Sequence, residues 1–145
     1  MGRVVSKLII HCSYTPPSMD IGAAEIRQWH TSPDPNDPSK PWRDIGYHWV
    51  IRRSGGIEPG RREAVAGAHT RGQNATSIGV CLVGGMAEGD RRPECNFTSA
   101  QYDALCKLIR QIRSRYPNIE ISGHSDWDRG RACPTFNAKE FVACL

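Results

Sequence analysis

The stretch Ser77-Ile-Gly-Val-Cys-Leu-Val83 decides the fold, because it is apolar at almost every position and runs directly into the pair Gly84-Gly85. A strand that is apolar on both faces is typical of a buried strand near the centre of a sheet covered on both sides. We therefore predict that residues 77–83 form a central strand of an α/β domain.

The segments on either side of this strand supply further strands and helices. Predicted strands cover residues 4–11, 45–53, 57–60, 77–83 and 119–123, the second and third joined by the turn Ser54-Gly55-Gly56. Predicted helices cover residues 22–30, 98–116 and 136–144, and the middle one begins at the capping box Thr98–Gln101. The fold class is therefore α/β, with one domain over residues 1–145 and a central mixed β-sheet flanked by helices.

Length and composition limit the classes of protein. The chain has 145 residues, of which 39% are hydrophobic and 23% charged, so it is globular and long enough for a core of its own. No apolar run approaches the roughly 18 residues of a membrane span, and no signal peptide is recognisable at the N-terminus. The net charge of +4 slightly favours an anionic polymer as partner, with an ordinary solvated surface as the alternative. No nucleic-acid-binding motif is present, so no nucleic-acid partner is expected.

The chain contains six cysteines: Cys12, Cys81, Cys95, Cys106, Cys133 and Cys144. An even number could form disulfides, so a disulfide-stabilised secreted domain is one hypothesis. Cys81 and Cys106 sit in apolar patterns and are interpreted as small core residues. Cys133 lies in a polar loop directly before Pro134, which core packing does not explain.

Three side chains at strand ends or in the following loop suit a metal site. His11 ends the first predicted strand, His124 follows the last one, and Cys133 lies in the loop after His124. Two imidazoles and a thiolate are a suitable ligand set for Zn²⁺ with a fourth position left to water, as a hydrolase requires. The alternative for each histidine is a hydrogen-bonded structural role.

Six motifs occur along the chain in a characteristic order. They are Ile-Ile-His11-Cys-Ser, Glu25-Ile-Arg-Gln-Trp-His30, Asp44-Ile-Gly-Tyr47-His48-Trp-Val-Ile, Gly67-Ala-His69-Thr-Arg-Gly-Gln-Asn74, Ser77 to Gly85, and Gly123-His124 to Cys133-Pro134. This ordered set resembles the phage-lysozyme branch of the zinc-dependent N-acetylmuramoyl-L-alanine amidases, a family that includes the peptidoglycan recognition proteins. The resemblance covers about residues 8–137.

The resemblance implies a function and a set of site residues. It implies hydrolysis of the amide between N-acetylmuramic acid and L-alanine of peptidoglycan, with Zn²⁺ as cofactor bound by His11, His124 and Cys133. Tyr47 matches a tyrosine beside the metal, whose phenol can donate a hydrogen bond to the oxyanion. Arg131 stands where the phage enzymes usually have lysine; arginine can stabilise negative charge but does not readily donate a proton.

Other polar residues receive weaker roles. By the same resemblance, His69 is expected to contact substrate or assist the oxyanion, and Asn74 to order its loop or contact the peptide. Three further expectations come from the residues themselves: His48 is structural because strand alternation turns it away from Tyr47, His30 is a capping or packing residue, and nothing places Glu25 near the metal. Asp126 and Asp128 are either partners of a ligand imidazole or solvated loop residues.

Partners and location follow from the same resemblance. Peptidoglycan is the expected substrate, the protein is expected to be monomeric, and an endolysin without a signal would accumulate in the host cytoplasm until its release to the cell wall. A peptidoglycan-binding module without activity is the alternative, although the presence of Cys133 argues against it. A third class is a regulatory interaction protein, since small phage lysozymes of this kind can also bind a phage RNA polymerase.

Overall fold

The computed structural model describes residues 2–143 and contains a five-stranded mixed sheet. The elements are β1 (Lys7–Cys12), α1 (Ala23–His30), β2 (Trp49–Ile51), β3 (Ile57–Pro59), β4 (Ser77–Leu82), α2 (Ser99–Arg115), β5 (Glu120–Gly123) and α3 (Ala138–Ala143). The strand order is β3-β2-β4-β1-β5, and all neighbours are parallel except the hairpin β2–β3. The predicted central mixed sheet with flanking helices is confirmed.

Each face of the sheet packs against helices. On one face, apolar side chains of β1 and β4, such as Leu8 and Val80, pack against the stripe of α2 that includes Leu105 and Ile109. On the other face, Ile26 of α1 forms a smaller cluster with residues such as Val50. The alternation of side chains along each strand therefore gives β1 and β4 one face for α2 and one face for the site described below.

The capping box predicted at the start of α2 is present and also fastens the helix to the sheet. Thr98 Oγ1 accepts from Gln101 N–H at 3.1 Å, and Gln101 Oε1 accepts from Thr98 N–H at 2.9 Å. The buried Gln101 amide also donates to the carbonyl oxygens of Ile51 and Val83. One residue thus satisfies the helix terminus and two carbonyls of the sheet.

Two predicted strands begin three or more residues later than expected. The first begins at Lys7 rather than Val4, whose side chain is exposed. The strand predicted from residue 45 is regular only over Trp49–Ile51, because the imidazole Nδ1 of His48 accepts the Gly79 N–H at 2.9 Å. The His48 side chain accepts from an N–H group that would otherwise donate to a carbonyl of the neighbouring strand. Regular pairing therefore begins after His48.

The last helix begins later than predicted, and the described cysteines form no disulfide. Helix α3 begins at Ala138, and Cys144 of the predicted helix lies outside the described residues. Within residues 2–143 every cysteine is a free thiol, which gives the disulfide-stabilised domain no support there. None of the helices in this part of the chain is long and apolar enough to span a membrane.

Candidate metal centre and substrate groove

His11, His124 and Cys133 come together at one edge of the sheet. One ligand atom from each of the three residues lies within 4.8 Å of the other two, and the Nδ1 atoms of His11 and His124 are 3.1 Å apart. Tetrahedral Zn²⁺ with ligand nitrogens at about 2.0–2.1 Å would place two such nitrogens roughly 3.3 Å apart. The spacing of the imidazoles therefore fits a zinc ion.

Strand topology explains why residues so distant in sequence meet. β1 and β5 are parallel neighbours with Ile10 paired to Gly123, so the residues that follow, His11 within β1 and His124 directly after β5, lie side by side at the carboxyl ends of these strands. The loop after His124 then returns, and Ser125 N–H donates to the carbonyl of Cys133 at 2.9 Å. The backbone N–H of Cys12 donates to Cys133 Sγ, also at 2.9 Å.

The protonation of these groups suits cation binding. Burial, the neighbouring imidazoles and Arg131 lower the pKa of His11 well below its usual value, and burial and Arg131 lower the pKa of His124. Both imidazoles are therefore neutral at pH 7 and can donate a lone pair. The adjacent Cys12 thiol and burial raise the pKa of Cys133 well above its usual range, so this sulfur needs a cation beside it to ionise near neutral pH.

Tyr47 lies beside the cluster. Its ring centroid is 5.2 Å from that of His11, and its side chain lines a cleft of about 380 Å³ together with His124 and Cys133. Burial and the neighbouring thiols raise the pKa of Tyr47 well above its usual value. The phenol therefore stays protonated and can donate a hydrogen bond over the whole physiological pH range.

A larger groove of about 760 Å³ adjoins this cleft. Its lining includes two aromatic and two cationic side chains: Trp42, Trp127, Arg71 and Arg131. His124 and Arg131 line both spaces, so the imidazole–thiol cluster lies where the groove and the cleft meet. Arg131 itself is exposed and forms an ion pair with Asp128 at 3.4 Å. No carboxylate lines the smaller cleft within the part of the chain that the structure describes.

His69 and Asn74 both line the larger groove, and protein contacts occupy both ring nitrogens of His69 and the Oδ1 atom of Asn74. His69 Nδ1 lies 2.8 Å from His11 Nε2, and its Nε2 lies 3.3 Å from the Ser77 hydroxyl. Burial and the neighbouring His48 lower the pKa of His69 to about 3, so the ring is neutral. Asn74 Oδ1 accepts from the backbone N–H groups of His69 and Thr70, each at 2.9 Å, and so orders this loop.

Two other histidines have structural contacts. His48 is buried, and its ring accepts from Gly79 N–H and contacts the Val65 carbonyl, which confirms a structural role. The argument from strand alternation was wrong, however, because His48 and Tyr47 precede β2 and both rings lie near His69. His30 confirms the packing role, since its Nδ1 accepts from Gly46 N–H and its ring contacts Trp42.

The carboxylates do not hydrogen-bond the candidate ligands. Asp126 accepts from the backbone N–H of Gly123, and Asp128 accepts from Gly130 N–H and pairs with Arg131. Glu25 lies in the first turn of α1 and lines neither the groove nor the cleft. Both aspartates are exposed, which is the solvated-loop alternative considered from the sequence.

Sequence reasoning missed two contributors to the cluster. Thr70 Oγ1 lies 3.2 Å from His11 Nε2, and the Cys12 backbone N–H contacts Cys133 Sγ. The order of residues signals neither contact, because a threonine beside a histidine in a loop is common and a backbone donor has no sequence signature. The groove tryptophans were also not assigned, although Trp42 stands in the proline-rich loop and Trp127 in the loop that leads to Cys133.

Solved structures share this arrangement of sheet and helices. The N-acetylmuramoyl-L-alanine amidase LysC from Clostridium intestinale superposes with a TM-score of 0.78 at 26% identity, covering 97% of this chain and 85% of LysC. Bumblebee PGRP-SA has the same fold, with a TM-score of 0.75 at 22% identity over 99% of this chain and 84% of the other. The class of protein is therefore an amidase-fold enzyme.

Sequence comparison gives the family. The family model described as N-acetylmuramoyl-L-alanine amidase matches residues 1–136, and the chain belongs to this family. The endolysin of Enterobacteria phage K11 is 44% identical over 138 residues, which are 94% of this chain and 85% of that endolysin. The resemblance stated from the motifs is confirmed, and the protein is an enzyme of the N-acetylmuramoyl-L-alanine amidase class.

Proposed function

We propose that this enzyme is a zinc-dependent endolysin that hydrolyses the amide between the lactyl group of N-acetylmuramic acid and L-alanine of the stem peptide. One observation carries the proposal: two neutral imidazoles and a thiol from separate segments converge within 4.8 Å. They do so where the smaller cleft meets the larger groove, so a polymer could present one amide to them.

The donor set defines how the ion would be held. His11 and His124 would bind through Nδ1 and Cys133 through Sγ, with the Cys12 backbone N–H donating to the sulfur. Bound Zn²⁺ supplies Lewis acidity, which polarises a carbonyl oxygen and lowers the pKa of water. A backbone donor to a thiolate stabilises its negative charge and fixes its direction, so the strand backbone takes part in holding the site.

Tyr47 and Arg131 would act on charge that develops at the scissile carbonyl. The Tyr47 phenol remains a donor at neutral pH and lines the same cleft as the ligand side chains, so it can donate to the oxyanion. Arg131 adds a positive charge at the junction of cleft and groove, where its pairing with Asp128 restrains the guanidinium. Because arginine keeps its proton, its role is electrostatic.

The groove would hold the stem peptide. Trp42 and Trp127 offer flat apolar surfaces, and Arg71 offers a cation for carboxylates of the peptide. His69 and Asn74 also line the groove, and Asn74 orders their loop by accepting from the backbone N–H groups of His69 and Thr70.

Product analysis tests the proposal. Purified protein should contain about one zinc per chain. It should release from purified cell walls peptides whose new amino terminus is L-alanine, identified by mass spectrometry. New reducing sugar ends without new amino groups would contradict it and indicate a glycosidase.

A cysteine pair provides a matched test of the metal centre. Cys133→Ala should abolish both zinc retention and peptide release while the cooperative thermal transition persists. Cys95→Ala, which removes an exposed thiol that lines neither cleft nor groove, should leave both unchanged. Cell-wall binding by wild-type protein without any released peptide would favour the recognition-module alternative.

Lysis of the host from within follows from the endolysin role. We expect the enzyme to be made in the host cytoplasm and to reach peptidoglycan after a separate protein opens the membrane. Expression with and without a pore-forming partner, followed by culture turbidity, tests this expectation: lysis without any permeabilising agent would contradict it.

A further inference from the structure

The ring of His69 packs edge-on against the His11 imidazole on the side away from His124. The two ring centroids are 4.8 Å apart with an interplanar angle of 87°, and His69 Nδ1 is 2.8 Å from His11 Nε2. His11 Nδ1 faces His124 Nδ1 at 3.1 Å. His11 therefore has one nitrogen toward the candidate metal centre and the other toward His69.

Two glycines next to the His69 ring leave room for it, because neither has a side chain. A Cβ placed on Gly79 of β4 would lie 2.6 Å from ring carbons of His69, and one on Gly67 would lie 2.7 Å from its Cδ2. A glycine inside a strand often marks a close approach by another group. Here the close approach is that of an imidazole reaching across β4 to β1.

Other contacts fix the ring in this orientation. Asn74 Oδ1 holds the backbone N–H groups of both His69 and Thr70, and the Ser77 hydroxyl lies 3.3 Å from His69 Nε2. Both polar atoms of the His69 ring therefore have protein partners. Within residues 2–143 neither aspartate of the His124–Cys133 loop takes this place beside His11, since Asp126 and Asp128 bond elsewhere.

Counting protons gives the direction of the hydrogen bond. If Nδ1 of His11 donates its lone pair to a metal, the neutral ring carries its proton on Nε2. That N–H must find an acceptor, and His69 Nδ1 at 2.8 Å is closer than Thr70 Oγ1 at 3.2 Å, a hydroxyl that also lies 3.0 Å from His69 Nδ1 and can donate to it. His69 would then carry its own proton on Nε2 and direct it to Ser77.

We propose that His69 is a positioning residue for the metal centre, whose Nδ1 accepts the His11 Nε2–H and thereby fixes the tautomer and orientation of the ligand imidazole. This inference rests on the zinc site of the proposed function. It differs from the substrate contact that the family resemblance implies. A partner of this kind makes the ligand more basic and more rigid, and its loss commonly weakens metal binding by about 10–100-fold.

Imidazole NMR on the unaltered protein tests the proton assignment. Long-range ¹H–¹⁵N spectra of the zinc-loaded enzyme should show His11 and His69 both protonated at Nε2 only. A His69 ring protonated at Nδ1 would overturn the proposal, because it could not then accept from His11. This measurement needs no variant and no substrate.

Two substitutions of His69 separate hydrogen bonding from packing. In His69→Asn the Oδ1 atom can stand in for Nδ1 as an acceptor, whereas His69→Leu fills space without one. We expect zinc affinity, measured by competition with a chromogenic chelator, to fall about 10–100-fold in the leucine variant and to be largely retained in the asparagine variant. Equal affinity in wild type and the leucine variant would refute the proposal, and a raised KM for cell walls with that unchanged affinity would assign His69 to substrate contact.

His48→Asn is the control for general destabilisation. His48 is a buried histidine 5.9 Å from His69 that hydrogen-bonds Gly79 and Val65 and no candidate ligand, so we expect its variant to lose stability but to keep zinc affinity. Failure of the wild type to bind zinc would instead refute the proposed metal centre. Failure of the His69 proposal and failure of the proposed metal centre therefore give different results. If the leucine variant does not fold, the asparagine variant and the wild-type NMR spectra still test the role of His69.

Discussion

Substituting alanine for Gly79 gives the sharpest test of how the sheet accommodates the site. The new methyl group would lie 2.6 Å from Cγ and Cδ2 of His69 and 2.8 Å from its Nε2, well inside van der Waals contact. The ring cannot retreat freely, because the Gly67 backbone lies against it and its Nδ1 is held near His11. Either the ring leaves His11 or β4 shifts against its neighbours.

Both responses cost stability. Overpacking a filled interior typically costs about 1–3 kcal/mol. For a domain of this size, about 2 kcal/mol corresponds to a decrease in Tm of roughly 4–8 °C. We expect Gly79→Ala to show such a decrease by calorimetry and to bind zinc more weakly, because the ring that faces His11 is displaced.

Gly56→Ala is the matched control. Its added Cβ would lie 3.5 Å from Ser54 Oγ and 3.8 Å from Arg52 Cδ, both ordinary contacts, so Tm should change by less than about 2 °C. A Gly79→Ala protein with wild-type Tm and wild-type zinc affinity would refute the claim that this glycine makes room for the imidazole.

Three further predictions concern catalysis, pH and packing. Tyr47→Phe should lower kcat by about 10²–10³-fold with little change in Tm, as for loss of one oxyanion donor; a wild-type rate would remove Tyr47 from the mechanism. Burial lowers the pKa of His30 to about 4 in the folded chain, below its unfolded value, so stability falls as pH decreases from about 6.5 toward 4. The wild type should therefore lose more free energy of unfolding between pH 7 and pH 5 than His30→Asn does, as measured by urea denaturation. Because the ring is partly exposed, we expect this difference to be only about 1 kcal/mol. Equal losses in the two proteins would contradict this prediction. Gln101→Leu should cost about 2–3 kcal/mol by leaving buried sheet carbonyls without donors, whereas exposed Gln111→Leu should cost less than about 0.5 kcal/mol in the same titration.

The elements with strong periodicity or a distinct cap were predictable from the sequence. The apolar run at residues 77–83 became β4, and the Thr98–Gln101 box begins α2 as expected. The strand predicted from residue 45 failed in its first half, because hydrophobic alternation does not reveal that the His48 ring will take a backbone donor of Gly79. Propensity describes local preference, and this contact joins residues far apart in the chain.

The three candidate ligands could be picked out from the sequence as a group, but their contacts with neighbouring residues could not. His11, His124 and Cys133 were singled out because each ends a strand or stands in the polar loop that follows, and the parallel pairing of β1 with β5 brings them together. The contact between His69 and His11 depends on Gly79 leaving a gap in the sheet, which appears only once β1 and β4 are aligned. The sequence shows that residue 79 is glycine, but it does not show that the His69 ring occupies the space beside it.

The contribution of β1 to the sulfur has a consequence for thermal inactivation. This strand lies inside the sheet with parallel partners on both sides, and it presents the His11 ring and the Cys12 amide to the same centre. Both groups stay in the strand when a surface loop opens, but the sulfur and the second imidazole belong to the segment from His124 to Cys133, which follows β5. On warming, the Cys12 amide should therefore begin to exchange with deuterium when that segment opens, ahead of the amides bonded within the sheet, and hydrolytic capacity should be lost before the whole domain melts.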